Sequence, residues 1–173
     1  MKKKLVIGAL IAVLAVGMVM AFTACGVNGS PESVVKAIIE SESELDVDAM
    51  LDLIYFEDSK DRDTLKKQYD EELSGEGEIT GNVKITKFDC TVTDVTDEEL
   101  ETIKATYEGI DVQAVSKCEF TFSIEGTVKV SVGGVENEQD VSVEDEKGSL
   151  TVYKVGGKWY MAIIPAGQTD IGM

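Results

Sequence analysis

The spacing of hydrophobic residues changes twice along this chain, and the changes divide it into three regions. Residues 5–22 form an apolar run without a charged residue. From residue 31 to residue 73, apolar residues recur every three or four positions, which is the spacing of helices that bury one side. From residue 83 to residue 163, apolar and polar residues alternate, which is the pattern of strands with one buried face. The sequence therefore predicts a leader, then helices, then an antiparallel sheet, which is an α+β order.

The first two helices are marked by their start signals. Ser30 is a good N-cap and Pro31 suits a first helical turn, so a helix should begin there and run to about Ser43. Asp46 or Asp48 should cap the second helix. Its apolar stripe is predicted to consist of Ala49, Met50, Leu53 and Ile54.

Two further helices are predicted. One extends over residues 61–73, and Gly75 is expected to end it. The other lies between two strands, where Thr96 and Glu99 have the spacing of a capping box, and it should close at Gly109.

The strand region contains several breaks in its alternation. A slip at residues 85–88 predicts a β-bulge. A long strand over residues 117–132 is interrupted by Gly126, which indicates a bend or bulge. The glycine pair at 133–134 predicts a two-residue hairpin, and residues 144–148 are expected to form a turn.

A second glycine pair, at residues 156–157, predicts the closing hairpin of the sheet. Its register sets two apolar pairs on one face: Val152 with Met161, and Leu150 with Ile163. Trp159 should be buried beside these pairs, whereas Tyr153 and Tyr160 should lie opposite each other on the outer face.

The leader has the composition of an export signal. Three lysines precede the apolar run, and small residues follow it. The segment resembles a bacterial lipoprotein signal, because Ala24 and Cys25 match the motif and Thr23 is tolerated, although Phe22 replaces the usual leucine. The resemblance implies that residues 1–24 are removed and that a diacylglycerol group is attached to Cys25, with residues 25–30 as a short tether. The alternative is an uncleaved transmembrane anchor.

The charge and composition of the chain argue against several classes of function. After residue 24 the chain carries 13 basic and 33 acidic residues, a formal net charge of −20, which argues against nucleic acid as a partner. The chain has no histidine, so a Ser-His-Asp triad or a histidine zinc site is excluded. Asp58, Asp61 and Asp63 lack the spacing of a calcium loop and are interpreted as a helix start. No catalytic, metal or cofactor site is predicted.

The end of the sheet carries a family resemblance. Val152, Lys154, Gly157, Lys158 and Trp159 match the closing phrase of lipoproteins with a nuclear-transport-factor-2-like (cystatin-like) domain, many of which are domains of unknown function. The resemblance implies that residues 31–164 form a cone-like domain, in which N-terminal helices pack on a curved antiparallel sheet, followed by a flexible tail at 165–173. The helix after Thr96 is not typical of the family.

The same resemblance implies a pocket between the helices and the sheet. Its lining would consist of Phe88, Phe120, Phe122, Trp159 and Met161, unless these side chains simply fill the core. The expected function is a non-enzymatic binding or interaction domain, anchored in the cell membrane, facing outside the cytoplasm and binding an unknown protein, peptide or small ligand. The alternative is an enzyme of the same fold with a carboxylate base. Cys90 and Cys118 are predicted to face each other, either as a disulfide or as two buried thiols.

Overall fold

The computed structural model describes residues 27–44, 46–76, 78–132 and 135–168. The predicted signal peptide, Cys25 and residues 169–173 lie outside this part of the chain. The described residues form an α+β fold with a four-stranded antiparallel sheet in the order β2-β3-β4-β5 and a two-stranded parallel sheet of β1 and β6. The elements in chain order are α1 (Pro31–Glu44), α2 (Val47–Leu51), β1 (Ile54–Phe56), α3 (Ser59–Glu76), β2 (Glu78–Asp94), α4 (Asp97–Thr106), β3 (Val112–Val132), β4 (Val135–Val155), β5 (Lys158–Tyr160) and β6 (Ala162–Ile164).

The first two helices begin where their caps predict. The Ser30 hydroxyl accepts a hydrogen bond from the backbone N–H of Ser33 at 3.1 Å, and the Asp46 carboxylate accepts one from Ala49 at 2.9 Å. The stripe predicted for α2 is wrong, because this helix has only five residues and buries Val47 and Leu51.

The predicted bounds of α3 are also wrong. The side chain of Asp58 accepts a hydrogen bond from the backbone N–H of Lys60 at 2.9 Å, so the helix begins at Ser59 instead of Asp61. The helix continues through Gly75 to Glu76. Gly75 is thus the next-to-last residue of the helix and does not end it.

The pairing of β2 with β3 confirms the predicted bulge, because the register shifts between Ile85 and Lys87. The shift brings Phe88 and Cys90 onto the same core face as Val83 and Ile85. Gly126 lies opposite Val83, and a Cβ atom there would overlap with the carbonyl oxygen of Asn82 and the Cα atom of Val83. A glycine is therefore required at position 126, where the backbone of β2 leaves no space for a side chain.

The turn predicted at residues 144–148 is wrong, since β4 is one strand of 21 residues. Glu144 and Asp145 together lie opposite Ser123 in a bulge, in which Asp145 adopts a φ of 50° and donates its backbone N–H to the Ser123 hydroxyl at 3.0 Å. Gly148 pairs with Phe120, whose ring occupies the space of the missing side chain. At the other end Val132 pairs with Val135, as the predicted hairpin requires, while the two glycines between them lie outside the described residues.

The closing hairpin has the predicted register at its turn. Gly156 and Gly157 have φ values of 57° and 82°, and Tyr153 lies opposite Tyr160. The pairing ends there, so the predicted pairs of Val152 with Met161 and of Leu150 with Ile163 are wrong. The backbone N–H of Met161 donates to the carbonyl of Leu53 at 2.8 Å instead, and the chain continues as β6 beside β1.

Both faces of the antiparallel sheet carry apolar clusters. On the first face α1 packs against the sheet, with a buried cluster of Val34, Val35, Ile39, Val83, Cys118, Phe122, Ile124, Val128, Val152 and Trp159. On the second face Leu100 and Ile103 of α4 pack against Ile110, Val112, Val115, Val155 and Ile163. Helices α2 and α3 form a third cluster with β1 and β6. Within the described part of the chain, no helix has the length and apolar character needed to span a membrane.

Candidate functional site

The five residues of the predicted pocket wall come together on the first face of the sheet. Phe122 and Trp159 are buried, and Phe88, Phe120 and Met161 are half-buried against the same cluster. The ring centroids of Phe120 and Phe122 lie 6.2 Å apart. The side chains of Val34, Val35 and Ile39 from α1 belong to this cluster. The pocket itself stays a prediction.

Cys90 and Cys118 are neighbours on the same face. Cys90 pairs with Phe120, and Cys118 pairs with Val92, so the two cysteines lie diagonally across β2 and β3. Both are free thiols in this structure. Burial, with the neighbouring Cys90, raises the pKa of Cys118 to about 12, and burial also raises the pKa of Cys90. Both thiols are therefore protonated at neutral pH, and the disulfide remains a hypothesis.

A carboxylate base would have to be enclosed by the protein. Asp89 is exposed on the face opposite Cys90, as predicted. Among the carboxylates whose side chains the structure describes, Glu40 on α1 is the one that is buried, with 8% of its surface exposed, and sequence reasoning missed it. The ammonium group of Lys36 lies 3.9 Å from its Oε1 atom. A buried carboxylate with a cation beside it is the usual arrangement of a structural ion pair.

The segment just before α1 is fastened to the end of the sheet. The backbone N–H of Trp159 donates to the carbonyl of Asn28 at 2.9 Å, and the Asn28 side-chain amide donates to the carbonyl of Trp159 at 2.8 Å. The Ser33 hydroxyl donates to the carbonyl of Val27 at 2.7 Å. The second half of the predicted tether therefore belongs to the folded domain. At the opposite end, the start of the predicted tail is also bonded, since Gly167 donates its N–H to the Asp61 carboxylate at 2.9 Å.

Four tyrosines, from β1, β4, β5 and the end of α4, form two edge-to-face pairs on the second face of the sheet, and together we call them the tyrosine row. The rings of Tyr107 and Tyr153 meet edge to face with centroids 5.8 Å apart. Tyr153 lies opposite Tyr160 across β4 and β5. The rings of Tyr160 and Tyr55 again meet edge to face at 5.5 Å. All four side chains are half-buried, so one side of each packs on the cluster and the rest reaches the surface.

Local structure fixes each member of the row. Tyr107 is the C-cap of α4 and donates its N–H to the carbonyl of Ile103 at 3.1 Å, and Gly109 turns the chain there with a φ of 94°. Burial and the adjacent Tyr107 raise the pKa of Tyr153 to about 12. Burial, followed by the adjacent Tyr55, raises the pKa of Tyr160. The hydroxyls of Tyr153 and Tyr160 therefore stay protonated at neutral pH.

The surface beside the tyrosine row is acidic. Six exposed carboxylates lie on α4 and just after it: Asp97, Glu98, Glu99, Glu101, Glu108 and Asp111. A hydrogen bond from Lys117, together with those from the backbone and hydroxyl of Thr96, lowers the pKa of Glu99 to about 2. Lys104 pairs with Glu101 at 2.8 Å and Lys117 with Glu99 at 2.7 Å. The remaining four carboxylates make no ion pair with a described lysine or arginine.

Sequence reasoning identified half of this row. The turn at residues 156–157 predicted that Tyr153 and Tyr160 lie opposite each other, and the structure confirms it. Their predicted position on an outer face is wrong, because both side chains pack half-buried against the apolar cluster that α4 covers. Tyr55 and Tyr107 were missed, since their positions depend on the pairing of β1 with β6 and on the packing of α4. No pattern in the sequence around Tyr55 or Tyr107 predicts either contact.

Comparison with known proteins gives no match for this chain among protein-family models, curated proteins or solved structures. The resemblance to nuclear-transport-factor-2-like lipoproteins therefore rests on the sequence pattern alone. What the structure adds is the arrangement of residues: a core between α1 and the sheet, a fastened N-terminal segment, and a half-exposed row of tyrosines beside an acidic helix.

Proposed function

We propose that this protein is a membrane-anchored extracytoplasmic lipoprotein whose folded domain binds a ligand without catalysing a reaction. The observation that carries the proposal is the junction at Cys25. Basic residues, an apolar run and Thr23-Ala24 precede the cysteine, and Val27, two residues after it, accepts a hydrogen bond from Ser33 of the folded domain. A leader that ends where the domain begins is the arrangement expected of a lipidated N-terminus.

The fastened segment would also fix the distance between the domain and the membrane. Asn28, which is hydrogen-bonded to Trp159, is the third residue after Cys25, and three residues span at most about 11 Å. In a lipidated protein the edge of the domain near β5 would therefore lie closest to the bilayer. Stable anchoring requires two acyl chains or their equivalent, which a diacylglycerol group on Cys25 would supply.

We also propose the finer description of the fold as a cone-like, nuclear-transport-factor-2-like domain. Two features support it. Helix α1 packs across the antiparallel sheet, and after β5 the chain leaves that sheet, so that β6 pairs with β1. Helix α4 would be an addition to this plan, covering the second face.

The test of the anchor is the intact mass of the protein recovered from membranes of a bacterial host. We expect the wild-type chain to lack residues 1–24 and to carry a diacylglycerol group, because the leader delivers Cys25 to lipid transfer. Cys25→Ser should remain unlipidated and keep residues 1–24. Cys90→Ser is the matched control, since it removes a cysteine of the folded domain and should leave lipidation intact. A wild-type mass that corresponds to the chain from Met1 without lipid would refute the lipoprotein and favour the uncleaved anchor.

A further inference from the structure

We propose that the tyrosine row is the docking surface of this domain and that its occupant is a basic, extended segment of a partner protein. The inference deepens the proposed binding function and rests on it. Two independent features carry it: the geometry of the rings, and the charge of the surface beside them.

The ring geometry favours a cationic occupant. Tyr107 meets Tyr153 at an interplanar angle of 76°, and Tyr160 meets Tyr55 at 70°. In an edge-to-face pair the positive edge of one ring covers one negative face of the other, so the two rings of each pair lie in different orientations. Guanidinium and ammonium groups bind the faces of tyrosine rings within about 6 Å of the ring centroid. The protein already contains one contact of this kind, with the Lys154 ammonium group 5.8 Å from the centroid of Trp159.

The charge of the surroundings selects the same occupant. Glu108 directly follows Tyr107, Asp111 comes four residues after it, and Glu57 follows Tyr55 by two residues, so exposed carboxylates lie close in the chain to both ends of the row. Glu57 also accepts a hydrogen bond from the backbone N–H of Ala166, and Asp111 accepts one from the side-chain amide of Gln113. The lysine closest to Tyr160 in the sequence is Lys158, two residues before it. The field of a chain with a net charge of −17 would steer a basic segment towards this surface.

The row suits a peptide better than a small ligand. It extends over four elements, from the C-cap of α4 across β4 and β5 to β1, and therefore offers several neighbouring contacts rather than one enclosed site. Aromatic side chains that are half-buried contribute large contact areas at interfaces because few rotamers are lost on binding.

The experiment measures binding of a synthetic peptide, (Arg-Ser)5, to the full-length protein in non-ionic detergent by isothermal titration calorimetry, with (Glu-Ser)5 as the negative control. We expect saturable binding of the basic peptide alone. Tyr55→Leu with Tyr107→Leu keeps apolar bulk at both ends of the row but removes the ring faces, and it should weaken binding about tenfold, the effect of two exposed cation–π contacts. Tyr55→Phe with Tyr107→Phe keeps the rings and should stay within about twofold of the wild type.

A second pair of variants separates docking at the row from general attraction to an acidic protein. Glu108→Gln with Asp111→Asn removes two charges beside the row, and Asp63→Asn with Glu136→Gln removes two exposed charges elsewhere. We expect severalfold weaker binding from the first pair and a change of less than about twofold from the second. This pair decides the question if the leucine variant proves to be unfolded by circular dichroism.

The proposal is overturned if the wild-type protein does not bind the basic peptide saturably, if a folded leucine variant binds as well as the wild type, or if both charge pairs weaken binding equally. The intact mass of the same preparation reports the lipid anchor separately. A failure of peptide binding is therefore distinguishable from a failure of the proposed anchor.

Discussion

Trp159 contacts three parts of the molecule: the segment before α1, helix α1 and the antiparallel sheet. Its backbone N–H and carbonyl both bond to Asn28, so the segment before α1 extends the edge of β5. Trp159 is 91% buried in the cluster that joins α1 to the sheet, and the Lys154 ammonium group lies 5.8 Å from the centroid of its ring. Because the bonds to Asn28 use the backbone of Trp159, they do not require its side chain. Replacement of the side chain therefore measures what the ring contributes to stability.

Replacement of Trp159 with alanine should lower the free energy of unfolding by about 3–5 kcal/mol, because a large buried ring is lost and a cavity is left. Replacement with phenylalanine keeps part of the packing and should cost less. Urea unfolding at neutral pH measures both values. A loss below about 1 kcal/mol for the alanine variant would contradict the burial described here.

Helix α4 illustrates how a local signal fixes an element and how distant contacts then place it. The Thr96 hydroxyl accepts the backbone N–H of Glu99 at 3.3 Å, and the Glu99 carboxylate accepts the backbone N–H of Thr96 at 2.9 Å, which completes the predicted capping box. The same carboxylate binds Lys117 of β3 at 2.7 Å. The cap thus joins the helix to the sheet while Leu100 and Ile103 pack on its second face.

Replacement of Thr96 with alanine should destabilise the protein by about 1 kcal/mol, since the N–H of Glu99 loses its partner at the helix start. Replacement with serine keeps the hydroxyl and is the matched control, with an expected change of less than about 0.5 kcal/mol. Urea unfolding of both variants provides the comparison. Equal stabilities of the alanine and serine variants would show that the cap contributes nothing measurable.

Elements with short-range signals were predictable, and those that depend on distant partners were not. Three features depend only on neighbouring residues, and the structure confirms all of them: the N-cap Ser30, the Thr96–Glu99 capping box and the turn at residues 156–157. Gly148 suggested a turn because nothing in its neighbourhood indicates that the ring of Phe120 covers it. Met161 broke the predicted pairing because the carbonyl of Leu53, more than a hundred residues earlier, accepts its N–H.

The same distinction applies to the candidate site. The hairpin turn was sufficient to place Tyr153 opposite Tyr160. Tyr55 and Tyr107 join them only through tertiary contacts, namely the parallel pairing of β1 with β6 and the docking of α4. A surface assembled from four elements has no continuous signature in the sequence.

At the scale of the whole molecule, each face of the sheet contains a side chain whose protonated form the folded state favours. Cys118 is completely buried on the first face, and Tyr153 is half-buried on the second. Burial is the largest cause that raises each pKa to about 12, from ordinary values of 9.0 for the thiol and 10.0 for the phenol. Each face therefore holds a group that the unfolded chain ionises more readily than the folded protein does.

The protein should consequently lose stability as the pH rises from about 9 to about 12. In this range the unfolded chain has released the protons of Cys118 and Tyr153 while the folded protein retains them, so the folded state binds more protons and the free energy of unfolding falls with pH. Below pH 9 both states hold these protons, and the two groups contribute no pH dependence. Urea unfolding at pH 8, 9, 10 and 11, with a reductant present to keep the thiols free, measures the slope. Cys118→Ala with Tyr153→Phe removes both groups, and its slope should be clearly shallower than that of the wild type, whatever its absolute stability. Equal slopes for the two proteins would show that other groups cause the alkaline loss of stability.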